Sequence, residues 1–168
     1  TPARAPAARA REPARRPAAV AEPVPHKPTR SRSGPILRAE GLNEFTAMDI
    51  SQVTSTVLNS YDVVILGEMP IDSTQATMFS NWTNAGGTFI AMRPDADLDS
   101  LLGITPAGGT LADKYLLVNT ASGPGFGIVN QTIQFHGTAD LYTLSGATAV
   151  ATLYSSASTA TTNPAVTS

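Results

Sequence analysis

The 168-residue chain has no cysteine. That excludes disulfides, thiolate-metal sites and a cysteine nucleophile together. No apolar run approaches the ~20 residues that a membrane helix needs. No apolar segment of signal-peptide type stands near the first residue, which is Thr, so secretion is neither indicated nor excluded by it. Aromatic residues make up only 6% of the chain, and none falls in residues 1–34.

Basic residues are scarce beyond the start. Residues 1–34 hold eight Lys/Arg and two Glu, a balance of +6. Residues 35–168 hold three Lys/Arg (Arg38, Arg93, Lys114) against eleven Asp/Glu, a balance of −8. The two sum to the net −2 of the chain. A basic tail therefore precedes an acidic body. The tail, residues 1–35, is mostly Ala, Pro and Arg, with too little apolar area to offset the entropy of ordering. It is expected to be disordered, with polyproline II character. It reads either as a linker of low complexity or as a basic interaction arm. Without aromatic or structured contacts, nucleic acid is not its expected partner.

The body, residues 36–155, alternates apolar strands with helical patterns, which implies an α/β fold with a parallel sheet. "ILRAEGL" reads as the end of a short helix stopped at Gly41. "FTAMDIS" reads as a strand. Ser51 is placed to cap a helix over "QVTSTVLNSY". "DVVILG" (62–67) is a β-branched run of the kind buried on both faces of a parallel sheet. Asp72 and Gln75 have capping-box spacing ahead of a helix through "STQATMFSNWTNA". Gly86-Gly87 ends that helix and "TFIAM" (88–92) follows as a strand. "DLDSLLG" reads as a short helix. "KYLLVN", "QTIQF" and "ATAVATLY" (147–154) read as strands, and "SGPGFG" (122–127) as a flexible connection. Residues 156–168, rich in Ser and Thr, read as a flexible end.

Polar residues cluster just past the predicted strand ends. Glu68 follows "DVVILG", Arg93 and Asp95 follow "TFIAM", and His136 follows "QTIQF". In open α/β sheets this rim is where ligands bind. Glu68, Arg93, Asp95 and His136 could together hold a polar small molecule. The structural alternative is that Arg93 pairs with Glu68 or Asp95 to satisfy loop groups. His136 could act as a general base oriented by Asp140, with water or Ser145 as nucleophile. The alternative there is a turn histidine bonded to backbone. Asp95, Asp97 and Asp99 have D-x-D-x-D spacing but lack the Gly and Glu of a calcium loop, so no metal site is expected. They suit an acidic helix start. No cofactor is implied.

The segment "YDVVILGEMPIDSTQATMFSNWTNAGGTFIAM" (61–92) resembles the class I glutamine-amidotransferase-like superfamily. The likeness is nearest to its trehalose-utilisation-type and β-galactosidase-trimerisation-type modules. "QFHGTADLYTLSGATAVATLY" extends the resemblance to about residues 36–155. It implies an open, mostly parallel flavodoxin-like sheet flanked by helices. An active amidotransferase keeps a Cys in the tight turn after the strand that follows the Gly pair, and a later His-x-Glu. Here the turn reads Met92-Arg93-Pro94-Asp95, and the later residues are His136-Gly137-Thr138-Ala139-Asp140. The resemblance therefore implies a non-catalytic accessory domain, structural or binding a small ligand or carbohydrate. Its setting would be a secreted or surface multidomain protein. The alternative is a hydrolase-like carbohydrate-processing domain using His136 with Glu68 or Asp95. Such a domain opens with a central strand, and residues 1–34 show no pattern for one. The expected body is thus N-terminally truncated, completed by another domain or a missing strand.

Overall fold

The computed structural model describes residues 16–22, 33–121 and 123–168. Four parallel strands come first: β1 (Ala18–Glu22), β2 (Phe45–Asp49), β3 (Val63–Leu66) and β4 (Thr88–Ala91). Their order in the sheet is β2-β1-β3-β4. This is the doubly wound arrangement of flavodoxin-like folds, as the sequence pattern predicts.

β1 corrects the expected gap at the sheet's centre. It lies inside the segment read as disordered, and it pairs in parallel with β2 on one side and β3 on the other. Ala19, Val20 and Ala21 are at most 2% exposed. Two alanines give little strand propensity. Two ladders and a covered position on each face supply what propensity does not. Arg16 fixes the entry to β1: its Nε donates to Asp62 Oδ1 at 2.8 Å, its backbone N–H to Asp62 Oδ2, and its Nη1 to the Asn59 carbonyl. The rest of the basic tail, residues 1–15 and 23–32, lies outside the described residues.

Helices connect the strands. α1 (Ser33–Ala39) ends at Gly41, whose φ of 83° is the left-handed stop expected of it. The helix predicted from Ser51 is shorter and starts later. Asp49 caps a 3₁₀ turn over Ile50–Gln52, and Thr54 then caps α2 (Ser55–Leu58). Two polar caps in succession break what periodicity alone reads as one helix. α3 (Ser73–Asn84) has the predicted capping box, with Asp72 and Gln75 each accepting the other's backbone N–H. Its inner face buries Ala76, Phe79 and Trp82. Phe79 stacks on Phe89 of β4 with ring centroids 5.0 Å apart. At Gly87 the backbone passes so close to Trp82 that an added Cβ would lie 2.4 Å from the indole.

After β4 a 3₁₀ turn (Ala96–Leu98) leads into α4 (Asp99–Leu102). The chain then changes character. β5 (Ile104–Ala112) and β8 (Thr138–Leu144) form an antiparallel pair. β6 (Tyr115–Val118), β7 (Ile133–Gln134), β9 (Ala149–Ser156) and β10 (Thr159–Thr167) form an antiparallel sheet of order β10-β9-β6-β7. The parallel pattern thus holds for the first four strands, and antiparallel pairing takes over beyond Ile104. β10 also corrects the expected flexible end. Its run of Thr and Ala reads as unstructured because it is weakly apolar. Threonine is nevertheless β-branched and suits a strand, and the tight turn after Ser156 brings the segment back along β9. Ser156 Oγ and Thr159 Oγ1 lie 2.8 Å apart across that turn.

Candidate functional site

Glu68, Arg93 and Asp140 meet at the carboxyl end of the parallel sheet. Glu68 comes from the loop after β3, Arg93 from the turn after β4, and Asp140 from β8. Arg93 Nε donates to Asp140 Oδ2 at 2.6 Å and Nη2 to Asp140 Oδ1 at 3.0 Å. Nη1 donates to Glu68 Oε1 at 2.7 Å. One guanidinium thus bridges two carboxylates, with the two-pronged geometry that suits Arg to carboxylate. Hydrogen bonding to Arg93 holds the Asp140 carboxyl below the ordinary carboxylate range, although partial burial works against it. The same bonds raise the guanidinium's pKa further above its usual value, so Arg93 stays charged.

Arg93 sits in a strained turn. Its φ is +46°, in the left-handed region that side chains with a Cβ avoid. Such a conformation costs about 1–3 kcal/mol and persists only where the surroundings impose it. Pro94 follows with its fixed φ and no N–H. Asp95 then turns inward. Its Oδ1 accepts from Asp97 N–H at 3.1 Å, capping the 3₁₀ turn, and its Oδ2 lies 3.4 Å from Ile71 N. Asp95 therefore serves the loops and does not join the trio. Asp99 lies behind it, with Oδ1 buried and unpartnered among the described residues. Burial, and then the Asp95 charge, push its carboxyl above the usual range. No group of three or more His, Asp or Glu among the described residues is arranged to hold a metal ion.

His136 stands elsewhere. Its Nδ1 is 3.7 Å from Asp113 Oδ1, and both side chains are well exposed. The expected orientation of His136 by Asp140 is not formed: Asp140 is bound by Arg93, and His136 lies against Asp113. The strand pairing explains the separation: β8 carries Asp140 opposite Thr110 of β5, while His136 lies before β8 begins, near the Asp113 turn.

Tyr142 is a rim residue that sequence reasoning missed. It shares a face of β8 with Asp140 by the two-residue period of a strand. Burial, followed by the Asp99 and Asp140 charges, raises its phenol pKa. The Asp-x-Tyr alternation in "TADLYTL" was the available signal. A cleft of about 490 Å³ opens beside it, lined by β4, β8 and β10 with Arg93 and Asp140 among its walls.

No protein-family model matches the chain, and no curated protein matches it by sequence. Solved structures do share its fold. It is similar to the β-galactosidase from Rahnella sp. R3, with a TM-score of 0.66 and 17% identity over 90% of this chain and 26% of that one. It is also similar to α-L-fucosidase isoenzyme 2 from Paenibacillus thiaminolyticus, with a TM-score of 0.65 and 14% identity over 90% of this chain and 27% of that one. A protein assigned as a GMP synthase component, from Thermoplasma acidophilum, gives a TM-score of 0.56 and 10% identity, over 84% of this chain and 75% of that one. At these identities the likeness is one of fold. The chain spans about a quarter of the length of the two glycosidases.

Proposed function

We propose that the chain is a non-catalytic, amidotransferase-like accessory domain of a larger, carbohydrate-active protein. The observation that carries this reading is Arg93. It occupies the strained turn where the resembling enzymes keep their nucleophile, and it is bound on both sides by Glu68 and Asp140. A guanidinium cannot act as a nucleophile at neutral pH, and here its donors face two carboxylates. The turn therefore acts as a clamp that ties β8 to the carboxyl end of the parallel sheet. The glycosidases of similar fold support the carbohydrate-active setting, each being more than three times as long as this chain. A secreted or surface location fits that setting.

A second reading places a small polar ligand, such as a carbohydrate, on the same rim. The Glu68 carboxylate favours it, being 62% exposed and bonded to Arg93 through only one oxygen. Its other oxygen can accept a sugar hydroxyl.

The test is to assay the protein for glutaminase and glycosidase turnover and for sugar binding by calorimetry. The accessory reading expects no turnover, and an Arg93→Cys variant that gains none. Turnover abolished by Glu68→Gln or Asp140→Asn would overturn it. Sugar binding lost in Glu68→Gln, without turnover, would select the ligand-binding form.

A further inference from the structure

β4 is the outer strand of the parallel sheet, with no strand on its far side among the described residues. Thr88 N–H and Met92 N–H both donate toward β3. By the two-residue period of a strand, Phe89 and Ala91 turn their N–H and C=O groups outward. The 490 Å³ cleft lies along this edge. It is lined by Phe89 and Ala91 of one face and by Ile90 and Met92 of the other. Only the edge of a strand presents both faces at once. The opposite wall is β10, and Ile104 and Leu153 give the cleft buried apolar surface.

Three observations define what fits. The edge offers backbone donors and acceptors at strand spacing. The doubly wound order 2-1-3-4-5 continues past β4 with one more strand, and here the sheet stops at β4. At the carboxyl end Glu68 and Asp140 outnumber Arg93 by one charge, which favours a cation there. A second copy cannot insert its own β4, because the same β8–β10 wall stands beside that strand.

We infer that this cleft docks an extended segment of a partner polypeptide as a fifth parallel strand, with alternating apolar side chains and a Lys or Arg at its carboxyl-terminal end. Main-chain hydrogen bonds to Phe89 and Ala91 would hold the segment, in the manner of strand addition. The four residues of β4 give it room for about four residues, a span of ~13 Å.

The probe is a fluorescein-labelled peptide, Thr-Val-Thr-Val-Thr-Lys-amide, titrated against the full chain by fluorescence anisotropy up to ~1 mM. A matching peptide ending in Glu should bind about tenfold more weakly. In Ala91→Pro the lost N–H points outward, as edge strands tolerate. That variant should keep its melting temperature and lose about tenfold or more in affinity. Met92→Lys, which leaves the backbone intact, should weaken binding of the Lys peptide as well. Amide exchange at Phe89 and Ala91 should slow on binding. No anisotropy change, equal binding by a folded Ala91→Pro variant, or displacement of the peptide by simple sugars would overturn the proposal.

Discussion

Arg93 Nε and Nη2 grip the two carboxylate oxygens of Asp140 at 2.6 and 3.0 Å, joining residues 47 apart in sequence. This pair ties the turn after β4, in the parallel sheet, to β8, in the antiparallel half. Both side chains are about one-third exposed, so solvent screening limits the pair's contribution to about 1 kcal/mol.

The strain at Arg93 separates two substitutions that both remove the clamp. Arg93→Ala keeps the left-handed conformation under strain, whereas Arg93→Gly relaxes it. Both variants should melt below the parent, with the glycine form more stable than the alanine form by about 1 kcal/mol in urea unfolding. Equal stabilities would mean that the turn is unstrained.

Asp140 gives the clamp a pH signature. Its pKa is lowered in the folded state, first by the hydrogen bond from Arg93. Its contribution is therefore present above the unfolded carboxylate value, near 3.9, and is lost as pH falls through the folded one. Asp99 has the opposite sign, since burial raises its pKa. Stability falls as pH rises from the unfolded Asp value through the raised one. Urea melts across pH 2–7 should show a shallower acid loss for Asp140→Asn. Asp99→Asn should be more stable than the parent at neutral pH and gain nothing at pH 2.

Gly87→Ala tests the contact behind the helix stop. The new methyl would press on Trp82, which is only 7% exposed and boxed in by the core. Overpacking of this kind costs about 1–3 kcal/mol. The melting temperature should drop, and the tryptophan emission should shift to the red. An unchanged spectrum would show that the indole can move aside.

Val20 tests the central strand. It lies on the strand between β2 and β3, and its side chain is fully buried; an unpaired carboxylate there has no partner and no water. Val20→Asp should abolish cooperative unfolding by circular dichroism. A sharp transition like that of the parent would show that the sheet stands without β1.

Local chemistry was enough wherever an element announces itself within a few residues. The β-branched run Val63–Leu66, the capping box of Asp72 and Gln75, and the Gly86-Gly87 stop were all legible. The rim was legible residue by residue, because Glu68, Arg93 and Asp95 each follow a recognisable strand. Which of them meet was not. Arg93 takes Asp140 from a distant strand, Asp95 turns to cap its own loop, and His136 goes to Asp113.

The α/β class, the helix stops at Gly41 and Gly86-Gly87 and the lack of a cysteine nucleophile can be read from the residues alone, since composition, periodicity and capping act over short spans. The central place of Ala18–Glu22, the strand over Thr159–Thr167 and the bridging of Glu68 and Asp140 by Arg93 emerge only once the chain is folded. Alanine and threonine segments carry little apolar signal of their own, and they become strands when neighbouring ladders and packed faces satisfy their backbones. An ion pair between residues 47 apart depends on the turn after β4 being brought against β8, which no local pattern encodes.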